Sequence, residues 1–190
     1  MNKAGFFYYV SDKTLLVVIG LAVIWVILSS ITASAGQEEE GKWLTYENKD
    51  LGFSIQYPPS WTAEEDKDLV QLHSNDDETI HVEITSESLP EEKTTLEEYS
   101  NMRINDLEED NKDVKLLHST SATIGVGDYP AHKVIYKLTD KSTKNQNTVT
   151  RFWTVQDDKA YSIAYIGVEP KYFNLYSIAL KMFDSFQLIK

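Results

Sequence analysis

Apolar and polar residues alternate along most of this chain, and the alternation predicts short strands. The clearest run is Phe53-Ser54-Ile55-Gln56-Tyr57, with Phe53, Ile55 and Tyr57 on one face of a half-buried strand. Residues 44–47 lead into it through the turn Asn48-Lys49-Asp50-Leu51-Gly52. Pro58-Pro59 stops it, because proline has no N–H for the ladder. Trp61 follows as a large apolar anchor, and residues 62–67 fit either a strand or a loop. Residues 69–74 and 79–86 predict a hairpin about Asn75-Asp76-Asp77-Glu78, with Ile80, Val82 and Ile84 alternating with His81, Glu83 and Thr85.

Beyond a loop at 89–93 the period changes. Thr95 stands three residues before Glu98, a capping-box spacing that starts a helix. Leu96, Tyr99, Arg103 or Ile104, and Leu107 trace its narrow apolar face. Glu108-Glu109-Asp110 meets the negative end of the helix dipole, which predicts fraying there and an end by Asn111. A meander follows: strands at 115–124 and 131–138 about Gly125-Val126-Gly127-Asp128, a polar turn at 139–146, then strands at 148–155 and 160–167. In the second of these, His132, Val134, Tyr136 and Leu138 share a side. Glu169-Pro170 opens a second helix with an apolar stripe of Tyr172, Phe173, Tyr176, Ala179, Leu180, Phe183 and Phe186. A short strand at 186–189 returns to the sheet. Strands, helix, strands, helix is an α+β order: an antiparallel β-sheet of about six to eight strands flanked by helices.

The N-terminal segment follows neither period. No charged residue occurs from Thr14 to Gln37. The run fits a spanning helix, which needs roughly 20 mostly apolar residues. It also ends in Ala33-Ser34-Ala35, a cleavage pattern that would leave Gly36 as the mature N-terminus. Its length, and an aromatic head of Phe6-Phe7-Tyr8-Tyr9, favour an uncleaved N-terminal transmembrane helix. Lys3 and Lys13 precede the span and Glu38-Glu39-Glu40 follows it, which keeps the N-terminus cytoplasmic. The expected organisation is a cytoplasmic N-terminus at 1–13, a transmembrane anchor or signal segment at 14–35, an acidic linker at 36–42 and an extracytoplasmic domain at 43–190. Residues 14–35 make the lipid bilayer a partner.

Composition narrows the chemistry. A net charge of -12 repels phosphate backbones, which argues against nucleic acid as a partner, and repels anionic headgroups, so membrane attachment must be hydrophobic. The absence of cysteine excludes disulfides, thiolate catalysis and thiolate-bound metal.

The opening Tyr46-x-Asn48-x-x-x-Gly52-Phe53-Ser54-Ile55-Gln56-Tyr57-Pro58-x-x-Trp61 resembles that of PsbP-type domains. Glu97-Glu98-Tyr99, the run Gly127-Asp128-Tyr129-Pro130-Ala131-His132-Lys133-Val134-Ile135-Tyr136 and the end through Asp184-Ser185-Phe186 fit the same family. The resemblance covers about the whole of 43–190 and implies a PsbP-like α/β/α sandwich about an antiparallel sheet. The family's best-known members are extrinsic lumenal subunits of photosystem II that help retain calcium and chloride. Others are membrane-anchored proteins of prokaryotes that do not photosynthesise. The anchor, and the lack of an Arg- and Ser-rich transit segment, place this chain with the latter.

Candidate chemistry is sparse. His73 and His81 lie on the two arms of one predicted hairpin and could hold a metal ion with Asp76, Asp77 or Glu78. Facing polar residues on a solvated strand surface are the commoner outcome, and no other cofactor is predicted. Asp76-Asp77-Glu78 lacks the spacing that wraps calcium. There is no Gly-x-Ser-x-Gly elbow, Gly125-Val126-Gly127 lacks the rest of a dinucleotide loop, and Ser119 and Ser121 near His118 read as ordinary strand composition. Trp43, Tyr46, Tyr57, Trp61, Trp153, Tyr161 and Tyr165 read as core packing. The expected function is therefore non-catalytic: a membrane-tethered domain acting as an accessory or stabilising subunit of a membrane protein complex. The alternative is a soluble or anchored protein of the extracytoplasmic space that binds a small ligand or a metal.

Overall fold

A computed structural model describes residues 42–89 and 94–189. The cytoplasmic N-terminus, the anchor, nearly all of the linker and most of the loop expected at 89–93 lie outside the described residues.

The opening stretch folds as expected, with β1 at Leu44–Asn48 and β2 at Phe53–Tyr57. The turn is held by Asn48: its Oδ1 accepts from the Leu51 N–H at 2.8 Å and its carbonyl from Gly52 N–H at 2.9 Å. Gly52 has φ +84°, open to glycine at little steric cost. Asn48 is buried, and its Nδ2 reaches Glu65 Oε1 at 2.9 Å, tying the turn to the next strand.

That next strand, β3 (Trp61–Asp66), resolves the ambiguity at 62–67 and pairs with β4 (Leu69–Ser74). β5 (Asp77–Ser88) completes the expected hairpin. Its turn is tighter than expected, because Ser74 already pairs with Asp77 across a bulge. Helix α1 (Leu96–Asp110) starts on the expected capping box: Thr95 Oγ1 accepts from Glu98 N–H at 3.2 Å, and Glu98 Oε2 from Thr95 N–H at 2.9 Å. Its acidic end stays helical through Asp110, with Asn111 Nδ2 donating to the Leu107 carbonyl at 3.2 Å. The meander is β6 (Lys115–Ile124), β7 (Tyr129–Thr139), β8 (Gln146–Gln156) and β9 (Lys159–Val168). Helix α2 (Lys171–Asp184) and β10 (Gln187–Leu188) close the chain.

The strands form two antiparallel sheets where one was expected. Seven strands run β3-β4-β5-β9-β8-β7-β6, and β1-β2-β10 form a separate small sheet. Pro58-Pro59 separates β2 from β3, and β10 takes the free edge of β2 with Leu188 opposite Phe53. The large sheet is covered on both faces. α2 and the small sheet bury Phe53, Ile55, Val70, Leu72, Ile163, Tyr165 and Phe186 among others, whereas α1 packs Tyr99 against Val134, Tyr136, Val149 and Trp153. The family of aromatics expected in the core is there: Trp61, Trp153, Tyr161 and Tyr165 are buried, and Trp43, Tyr46 and Tyr57 pack at its margin.

The stripe of α2 needs correction. Ile178 and Met182 are buried, but Phe173 is 60% exposed and Leu180 37% exposed. The helix is apolar over more than one face, and contact with β9, β2 and β5 decides which part faces inward.

Candidate functional site: a cleft carrying both arginines

α1 lies over β7 and β8 and leaves the neighbouring part of the same sheet face open. A cleft of about 650 Å³ results, between α1 and the turn joining β3 to β4. Tyr136, Arg151, Trp153 and Ser162 form its floor; Arg103, Asp106 and Asp110 stand on the helix side, and Asp66-Lys67-Asp68 on the other. Small residues make the hollow: Ala160 and Ala164 project from β9 toward the same layer, where longer side chains would fill it.

Two ion-pair groups occupy the cleft. On the helix side, Tyr99 Oη donates to Glu87 Oε1 at 2.5 Å, and Arg103 pairs with the same carboxylate. Arg103 also donates from Nε to Tyr99 Oη at 3.2 Å and from Nη1 to Asp106 Oδ2 at 3.3 Å, with its guanidinium 5.3 Å from the Tyr99 ring centre. Burial, then the bond to Glu87, pushes the Tyr99 hydroxyl up to about 12. Burial also acts to raise Glu87, but the bonds from Tyr99 and Arg103 outweigh it and hold the carboxyl below its ordinary range.

The floor group spans four strands, β4, β5, β9 and β8. Glu83 on β5 and Arg151 on β8 are both opposite Ala164 on β9, whose methyl lets the guanidinium reach across. Glu83 accepts from Gln71 Nε2 at 3.0 Å and meets His81 Nε2 at 3.3 Å, but Arg151 Nη2 stands 3.9 Å away. Burial pushes Glu83 up; the His81 bond and the charges of His81 and Arg151 outweigh it and leave the carboxyl below its ordinary range. Arg151 Nη1 donates to Ser162 Oγ at 3.3 Å, and its buried Nε has no acceptor among the described residues.

These carboxylates give a pH dependence. Glu83 and Glu87 titrate lower folded than unfolded, where a glutamate sits near about 4.3, so the unfolded chain binds more protons in acid. Their contribution is present above that value and is lost as pH falls through the lower, folded values. Thermal unfolding followed by circular dichroism is expected to show the midpoint dropping below about pH 4.5. Glu83→Gln should flatten that drop, and an unchanged acid slope in the variant would refute the assignment.

The sequence-predicted metal candidates are only partly assembled. His73 and His81 face each other in register, with ring centres 5.4 Å apart. Asp76 is exposed on the turn, and the carboxylates that meet the rings are Glu64, 3.9 Å from His73 Nε2, and Glu83. Among the described residues, no three His, Asp or Glu side chains are grouped to hold a metal ion. Ser119, read from the sequence as ordinary strand composition, has its Oγ 2.8 Å from His132 Nε2 on the neighbouring strand β7. Burial holds the His132 imidazole below its usual range. Ser119 is exposed and His132 half-buried, and no described carboxylate bonds the other ring nitrogen to orient it as a base.

Sequence reasoning placed Arg103 only on an apolar helix face and passed over Arg151. One signal was available: the chain has two arginines among 18 cationic side chains, and both line this cleft.

The family model described as "PsbP-like protein" matches residues 16–187. No curated protein matches the chain. Among solved structures, the chain is similar to cyanobacterial PsbP (CyanoP) from Synechocystis sp. PCC 6803, with TM-score 0.58 and 13% identity, covering 83% of this chain and 98% of the other. It is also similar to LpqN of Mycobacterium tuberculosis, a protein involved in cell envelope biogenesis, with TM-score 0.56 and 9% identity, covering 80% and 88%. At these identities the likeness is one of fold.

Proposed function

The chain belongs to the PsbP-like protein family, and from that premise we propose that it is a non-catalytic, membrane-tethered extracytoplasmic domain, an accessory or stabilising subunit of a membrane protein complex. The observation that carries the reading is the uncharged apolar run at 14–35, set between a lysine-bearing head and an acidic tail. Residues 14–35 hold the chain in the bilayer with 1–13 cytoplasmic and 43–190 outside. Attachment raises the effective concentration of the domain near a membrane partner, so a small interface is occupied. A contact surface is available on α2, where Phe173 and Leu180 project outward two turns apart. Among the described residues no helix is long and apolar enough to cross a membrane.

Protease added to intact cells is expected to remove the domain and leave the N-terminal segment behind. Mild detergent extraction should bring down a fixed companion, and Phe173→Glu with Leu180→Glu should release it. A domain untouched by external protease, or one that turns over substrate unaided, would sink the proposal. The second reading, a small-ligand or metal binder, draws support from the cleft and from the facing His73 and His81.

A further inference from the structure

We infer that the cleft beside α1 is a binding site for the terminal carboxylate of a basic residue, either free lysine or arginine or the C-terminal residue of a peptide. The inference does not depend on membrane tethering.

Three observations converge on Arg151. First, arginine is used sparingly in a chain rich in lysine, yet both copies line one cleft. The planar guanidinium matches a carboxylate in two parallel hydrogen bonds, which a lysine ammonium cannot do. Second, the two arginines are unequally supplied with acceptors. Arg103 is bonded to Glu87, Tyr99 and Asp106. Arg151 reaches only hydroxyls at close range, Ser162 Oγ at 3.3 Å and that of Tyr136, with its ion pair stretched to 3.9 Å and its buried Nε without an acceptor among the described residues. Its natural partner Glu83 is already engaged by Gln71 and His81. An arginine side chain three-quarters buried with no carboxylate at hydrogen-bond distance is stabilised by an anion entering the cleft. Third, the rim is acidic on balance, with Lys67 set among its aspartates. Asp66, Asp68 and Asp110 are exposed and have no ion-pair partner among the described residues. A purely anionic ligand would be repelled at that rim, and a purely cationic one would meet the guanidinium at the floor. A carboxylate that carries a cationic side chain satisfies both, carboxylate inward on Arg151 and cation outward among the aspartates. The hollow falls within the roughly 300–1,000 Å³ of small-molecule sites.

The test is calorimetric titration of the full chain in detergent with L-lysine, with the tripeptide Ala-Ala-Lys and with its C-terminal amide. Saturable heat is expected with L-lysine, with Ala-Ala-Lys, or with both, and which of them binds identifies the source. Amidation should weaken the peptide by about tenfold or more, and Arg151→Lys should weaken any binding probe by about as much, since a charged hydrogen bond is lost in each case. Asp68→Asn with Asp110→Asn should weaken binding severalfold at low salt and little at high salt, as screened rim charges do. If Arg151→Lys fails to fold, the comparison of acid and amide on the unaltered chain still decides, with L-lysine against lysinamide serving if only the free amino acid binds. No saturable heat from either carboxylate probe at millimolar concentration, or equal binding of acid and amide, overturns the inference.

Discussion

Phe186→Ala is expected to destabilise the domain by about 3–5 kcal/mol, the range for a fully buried aromatic. Phe186 is fully buried where the small sheet meets the large one. Its ring stacks on Phe53 of β2 at 5.8 Å and meets the edges of Tyr129 and Tyr161 at 6.4 and 6.0 Å. The backbone around it is equally committed. Its carbonyl accepts from the Val126 N–H at 2.9 Å, and the next two residues form β10. Just before it, Ser185 closes α2 and accepts from the Gln56 N–H at 2.8 Å. Removing the ring opens a cavity bounded by three strands that cannot collapse independently. Urea unfolding measures the loss. Phe173→Ala, on the exposed side of α2, should stay within about 0.5 kcal/mol of the unaltered protein. Equal effects for the two phenylalanines would refute this account of the seam.

Gly125→Ala is the second large effect, expected at roughly 3 kcal/mol from two additive causes. Gly125 has φ +76°, a left-handed conformation that costs an alanine about 1–2 kcal/mol. The added Cβ would also stand 2.1 Å from the Phe186 carbonyl oxygen, which is backbone and already hydrogen-bonded. Either the β6–β7 turn or the end of α2 must then move. Gly127 is a useful contrast: its φ is not positive, and the atoms nearest an added Cβ belong to the Tyr129 side chain and not to the backbone. Gly127→Ala should therefore cost clearly less. Denaturant midpoints for the pair check the ranking, and a Gly125→Ala chain as stable as Gly127→Ala would contradict it.

Most elements were readable from local chemistry. The Asn48 turn, the Thr95 capping box, the alternation of Ile80, Val82 and Ile84, and the opening of α2 at Pro170 each depend on residues within a few positions of one another. The facing of His73 and His81 was legible for the same reason, since a tight hairpin fixes its own register. The contact of Ser119 with His132 depends on the β6–β7 register, and the bulge that offsets it after Leu116 has no strong sequence signal.

The cleft was out of reach of such reasoning. Asp68, Glu83, Arg103 and Arg151 come from four separate elements, and the long-range pairing of β5 with β9, then β9 with β8, brings two of them together over Ala164. Likewise the apolar residues of α2 were visible, but which of them point inward was settled by the sheet they pack against. Periodicity and capping are short-range properties, so strand and helix identity, the uncharged N-terminal run and the acidic surface follow from residue order alone. Strand order, the split into two sheets and the meeting of both arginines follow from distant segments competing for the same buried surface, and only the folded chain resolves that competition.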